Sequence, residues 1–78
     1  MLTIEYDNFC RRLADSLDES EIDVREKHLM DIPGFDSMGL ITTALLIEEL
    51  FAFQIKFDIL RGQESAKSLY EYCIEATK

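Results

Sequence analysis

Along the first quarter of the chain, Tyr6, Phe9, Cys10, Leu13 and Leu17 recur at i, i+3, i+4, i+7 and i+11. That spacing places them on one face of an amphipathic helix and predicts a first helix over residues 3–17. Thr3 can cap it, and Glu5 and Asp7 early with Arg11 and Arg12 later match the sign of the helix dipole. Residues 18–35 lose this period. Turn-forming and acidic residues there surround scattered apolar ones, Ile22, Val24, Leu29, Met30 and Ile32. We read the segment as a long first loop held against the core by those five anchors, with a helical turn allowed near residues 24–30. Pro33 biases Ile32 towards an extended backbone, and Gly34 permits a turn, so the pair sets the direction of the next helix.

Periodicity returns over Ser37–Phe51, with Asp36 or Ser37 as N-cap. At ~100° per residue, Leu40, Ala44, Ile47 and Phe51 form a stripe able to face the core. Met38, Ile41 and Leu45 lie nearly opposite, bordered by Glu48 and Glu49. A helix apolar on two faces is either central in a bundle or carries a docking surface, and the pattern alone leaves both open. Residues 53–57 alternate like a strand but would have no partner, so they are expected to form a loop with buried anchors. Residues 58–61 suit a short helical turn ending at Gly62. Ser65 can then cap a last helix whose Ala66, Leu69, Tyr70, Cys73 and Thr77 share a face. The expected architecture is an all-α single domain over residues 1–78: a small antiparallel bundle of three main helices plus one short helix, with a long first loop.

Composition narrows the functional classes. Sixteen acidic residues against eight basic ones give a formal charge of −8, which opposes nucleic-acid phosphates and anionic lipid surfaces alike. The acidity suits solubility, or docking to basic patches on enzymes. Cys10 and Cys73 lack the spacing of a metal site or a disulfide framework and are expected as reduced core residues. The first residues lack a basic segment followed by an apolar one, and no apolar run reaches the ~18 residues of a membrane span. The cytosol is the expected compartment.

Catalytic readings find few parts. His28 is the sole histidine, lies in the long loop and has no serine or cysteine at a spacing that makes a nucleophile and base pair. The carboxylates follow no metal-binding spacing, and Gly34, Gly39 and Gly62 form no phosphate-cradling loop. Ser37 is different. It opens a helix, where unpaired N–H groups and the positive end of the dipole favour an anion, so a serine there can carry a phosphate. The expectation is an attachment point rather than a catalyst.

A chain of this size, acidic, with an amphipathic first helix, a long loop and a serine leading the second helix, resembles the acyl carrier protein family. Asp31-Ile32-Pro33-Gly34-Phe35-Asp36-Ser37-Met38-Gly39 looks like the family's attachment segment, usually an aspartate, a serine and a leucine with an aromatic residue often preceding them. The resemblance implies that a phosphopantetheinyl transferase moves 4'-phosphopantetheine from coenzyme A onto the Ser37 hydroxyl. The arm's thiol, and neither cysteine of the chain, would then hold cargo as a thioester. It also implies that Asp36 caps the helix and helps the transferase recognise the site. Partner enzymes would grip Met38, Ile41 and Leu45 as apolar anchors, with Glu48 and Glu49 as a charged rim.

The chain departs from the family pattern in one respect. Fatty-acid carriers tend to place acidic residues in the first turns of this helix, where this sequence has Gly39, Leu40 and Thr42. That favours a specialised pathway with more apolar docking. Asp-Ser-Met-Gly does not distinguish an acyl carrier from an aminoacyl, peptidyl or D-alanyl one. A non-carrier reading also stands: a helical adaptor in which Ser37 is only a cap and the second apolar face binds a partner. Phe51, Phe53, Phe57 and Tyr70 are expected to fill the interior, leaving small cargo outside, and a monomer is expected.

Overall fold

The computed structural model describes residues 4–77. Its first helix, α1, runs Tyr6–Leu17 and buries Phe9, Cys10, Leu13, Ala14 and Leu17. Its N-cap is Glu5, without a side-chain cap bond; Thr3, the expected cap, lies outside the described residues. Asp18 ends the helix in the left-handed conformation (φ 56°, ψ 43°), a geometry Asp tolerates better than most residues. The reversal sends Glu19 N–H back to the Ala14 carbonyl at 3.0 Å.

The segment expected as one long loop contains a helix. Ser20 caps α2, Glu21–Glu26, by accepting the Asp23 N–H, and Glu21 and Asp23 complement the dipole in its first turn. Six residues are too few for a hydrophobic period to register, which is why the pattern missed it. Arg25 ties α2 to α1 through its guanidinium, which donates to Glu21 (2.8 and 3.0 Å) and to Asp7 (2.8 Å) and lies 5.5 Å from the Tyr6 ring centre. A 3-10 turn follows at Leu29–Asp31. Of the five expected anchors, Val24, Leu29 and Ile32 are buried, joined by Phe35, whereas Ile22 and Met30 are exposed. Ile22 lies two residues from Val24, about 200° around a helix. Met30 lies one residue from Leu29, about 120° around a 3-10 turn. In each case burial of one residue turns the other outward.

The remaining helices are α3 (Ser37–Phe51), α4 (Phe57–Arg61) and α5 (Ala66–Ala76). Among the described residues there are thus three long helices and two short ones, one more short helix than expected, and no strand. Ser65 caps α5 by accepting the Ser68 N–H while Ser68 Oγ accepts the Ser65 N–H, a reciprocal box. α1 packs against α2, α3 and α5, and α3 also against α4. Phe9, Phe51 and Tyr70 join α1, α3 and α5 through ring pairs at 5.6–6.3 Å, in geometries aromatic rings favour. Tyr70 donates its hydroxyl to the Ile4 carbonyl at 2.7 Å. Of the four expected interior fillers, only Phe51 is buried; Tyr70 is half-buried against Phe9 and Phe51, Phe53 half-buried beside Tyr72, and Phe57 is exposed.

Candidate functional site at the start of α3

The chain reaches Ser37 through a tight turn. Ile32 is extended (φ −83°, ψ 120°), as its position before proline requires, and its carbonyl accepts the Phe35 N–H at 2.9 Å. Pro33 and Gly34 are the corner residues, with Pro33 at the position its fixed φ suits. Phe35 then plugs into the core. Gly34 donates its N–H to the Glu19 carboxylate at 3.0 Å, so the turn is tied to the segment just beyond α1.

Two glycines allow the turn to sit this close. A Cβ on Gly34 would lie 2.6 Å from the Leu17 carbonyl oxygen, and one on Gly39 would overlap the Gly34 carbonyl. This contact also turns α3. Its most buried residues are Gly39, Thr43, Leu46, Ile47 and Phe51, while Leu40 and Ala44, expected on the core stripe, are half-buried. Neither a glycine nor a threonine scores as apolar, so a hydrophobic period placed the inner face one residue too far round.

The cap is Asp36 alone. Its backbone is extended (φ −93°, ψ −162°) and its Oδ1 accepts the Gly39 N–H at 3.0 Å, while its carbonyl accepts the Leu40 N–H at 2.8 Å. Ser37 is the first residue with helical geometry, which corrects the alternative of Ser37 as cap. Its side chain is exposed and makes no hydrogen bond among the described residues. The N–H groups of Ser37 and Met38 likewise have no acceptor among the described residues. Two open donors therefore flank a free hydroxyl at the positive end of a 15-residue helix.

From Ser37 a surface groove runs along α3 towards α4. A cavity of about 120 Å³ is lined by Ser37, Leu40, Ile41, Phe57 and Arg61. Sharing Ile41 and Phe57 with it, a second of about 230 Å³ continues between Ala44, Leu45 and Ile55. Met38, Ile41, Leu45 and Phe57 are 69, 45, 61 and 48% exposed. Glu48 borders the groove and accepts from Gln54 at 3.4 Å. Glu49, expected beside Glu48 on the same rim, pairs instead with Arg12 of α1 at 3.5 Å. The structure thus gathers Ser37, Ile41, Leu45 and Glu48 along the groove; Met38 is exposed but lines neither cavity, and Glu49, about 20° from it around α3, is turned to Arg12. Phe57 and Arg61 complete the groove, and only their distance in sequence hid them.

Neither cysteine contributes. Both are buried and free, and burial pushes the Cys73 thiol up to about 12 and raises that of Cys10, so both stay protonated and unreactive near neutrality. His28 is exposed at the start of the 3-10 turn. No group of three or more His, Cys, Asp or Glu able to hold a metal occurs among the described residues. No helix among them is long and apolar enough to cross a membrane. No protein-family model, curated protein or solved structure matches the chain.

Proposed function

We propose that the protein is a carrier of the acyl carrier type, in which Ser37 bears 4'-phosphopantetheine and the arm passes intermediates between cytoplasmic enzymes of a biosynthetic system. The observation that carries this reading is the division of labour at the start of α3. Asp36 caps the helix, and Ser37 stands exposed and unbonded beside two open N–H groups. A phosphodiester there meets donors rather than a closed surface. Asp36 is a like charge, but its Oδ1 is engaged by Gly39. The chain's residues present and orient; nothing in it needs to activate the hydroxyl, which is the task of the transferase. When bound, the arm supplies a thiol that holds cargo as a thioester.

The partners of this reading are a phosphopantetheinyl transferase, a loading enzyme and downstream enzymes that contact Met38, Ile41 and Leu45. Aminoacyl or peptidyl cargo, including D-alanyl, fits the same site. The non-carrier reading, a helical adaptor, draws its support from the exposed apolar line of α3 and α4. Intact mass separates the two. After incubation with coenzyme A and a broad-specificity transferase, a carrier gains one phosphopantetheine on wild type and none on Ser37→Ala. A folded wild-type protein that gains nothing is an adaptor.

A further inference from the structure

At its Ser37 end the groove holds a cation that is in no ion pair among the described residues. Arg61 lines the same 120 Å³ cavity as Ser37. Ion pairs among the described residues involve Arg11, Arg12, Arg25 and Lys27; Arg61, like Lys56 and Lys67, is in none of them. Arg61 is thus the one of the four arginines in no ion pair among the described residues, and it lines the cavity of the candidate attachment serine. It matches a phosphodiester in charge and in hydrogen-bonding geometry. Arg61 also stands in the last turn of α4, but a five-residue helix gives it little dipole to answer.

Resting on the carrier reading, we propose that Arg61 holds the phosphodiester on Ser37, and that the arm lies along the α3–α4 groove over Ile41 and Leu45 until a partner displaces it. Length supports this occupant. From Ser37 to Glu48 the groove follows eleven residues of α3, about 16 Å at 1.5 Å per residue. An extended pantetheine, a dozen or so bonds from phosphorus to sulfur, spans roughly 15 Å at the reach of a polypeptide backbone. The lining suits it as well: charged at the tethered end, apolar at Ile41, Leu45, Ile55 and Phe57 beyond, and polar again at Glu48 and Gln54 at the far end. The arm would thus cover the same apolar residues that a partner needs, and docking would free the thiol as it seats the partner.

Amide and methyl chemical shifts of apo and phosphopantetheinylated protein test this, with wild type and Arg61→Gln side by side and the mass of each sample recorded. The expected result is that modification of wild type shifts Ile41, Leu45 and Phe57 as well as the residues around Ser37. In Arg61→Gln, which should gain the same mass, the distant shifts are lost and the arm thiol reacts faster with a disulfide reagent. Raising the salt concentration on modified wild type should reproduce that loss by screening. Full mass gain with shifts confined to residues 36–39, or identical shifts in Arg61→Gln, overturns the proposal and leaves the carrier reading intact. Shifts at Ile41 and Leu45 that depend on protein concentration without modification overturn it in favour of a second copy on the groove. Absence of any mass gain overturns both readings together.

Discussion

The α-carbon of Gly39 faces the carbonyl oxygen of Gly34 so closely that no side chain fits between them. One backbone contact thereby fixes the first turn of α3 against the turn that precedes it, and with it the position of Ser37. Gly39→Ala tests the contact against an opposing effect, since alanine is the better helix former by ~1 kcal/mol. The obstacle is backbone, which cannot rotate away as a side chain would, and strain of this kind typically costs 1–3 kcal/mol. Gly39→Ala should therefore be destabilising despite its propensity, lowering the melting temperature by about 5 °C. A rise in melting temperature would show that the turn gives way freely.

That contact also marks what the sequence reveals and what it does not. α1, α3 and α5 were legible because 12, 15 and 11 residues carry three or more turns of apolar repeat. α2 was not, although Ser20, Glu21 and Arg25 are its cap, first-turn acid and last-turn base. A cap is a local signal, and a helix of six residues offers little else. Ser37 and the outer line of Met38, Ile41 and Leu45 follow from position and period alone. Pairing of Glu49 with Arg12, 37 residues away, and the approach of Arg61 to Ser37 depend on how helices pack, which no local pattern encodes.

Assigning the cap to Asp36 separates two substitutions that the sequence could not. Asp36→Ala removes the acceptor of the Gly39 N–H and should cost about 1 kcal/mol. Ser37→Ala removes an exposed hydroxyl with no hydrogen bond among the described residues and should change stability by less than ~0.5 kcal/mol, while abolishing modification. Urea denaturation of both variants checks the first pair of values. Loss of a full cap energy in Ser37→Ala would mean that the serine, too, closes the helix end.

Thr43 is fully buried on the inner seam of α3, and its Oγ1 has no hydrogen-bond partner among the described residues. A buried hydroxyl without a partner carries a desolvation penalty of ~1–3 kcal/mol, whereas an apolar group of the same shape does not. Valine has that shape and a similar helix propensity. Thr43→Val is thus expected to stabilise the fold by about 1 kcal/mol, read as a higher urea midpoint at unchanged slope. A lower midpoint would indicate that the hydroxyl has a partner in solution, such as a water.

Ile41 is half-exposed at the middle of the groove, so replacing it should leave folding unaffected and act on recognition. Ile41→Glu places a charge where a partner's apolar surface would seat. If this line is the docking face, affinity for a cognate loading enzyme should fall at least about tenfold, as for an interface anchor worth ~1.4 kcal/mol or more. Glu49→Gln, on the side of α3 paired to α1, should change it little. Equal binding by wild type and Ile41→Glu would place the partner elsewhere.

The buried thiols give a pH dependence and a clean assay for the arm. Burial raises the Cys73 thiol to about 12 in the folded chain, against ~8.5 when unfolded. Below the unfolded value both states are protonated and the group has no effect on the pH slope. Above it the unfolded state loses its proton first, so stability should fall as pH rises from roughly 8.5 to 12, and less steeply in Cys73→Ala. The same burial keeps both native cysteines from reacting at neutral pH. Titration with a disulfide reagent should find no fast thiol in the native unmodified protein, one after phosphopantetheinylation, and the two cysteines in addition once urea unfolds the chain. A fast native thiol before modification would show that Cys10 or Cys73 is accessible, and would require the arm to be counted by mass alone.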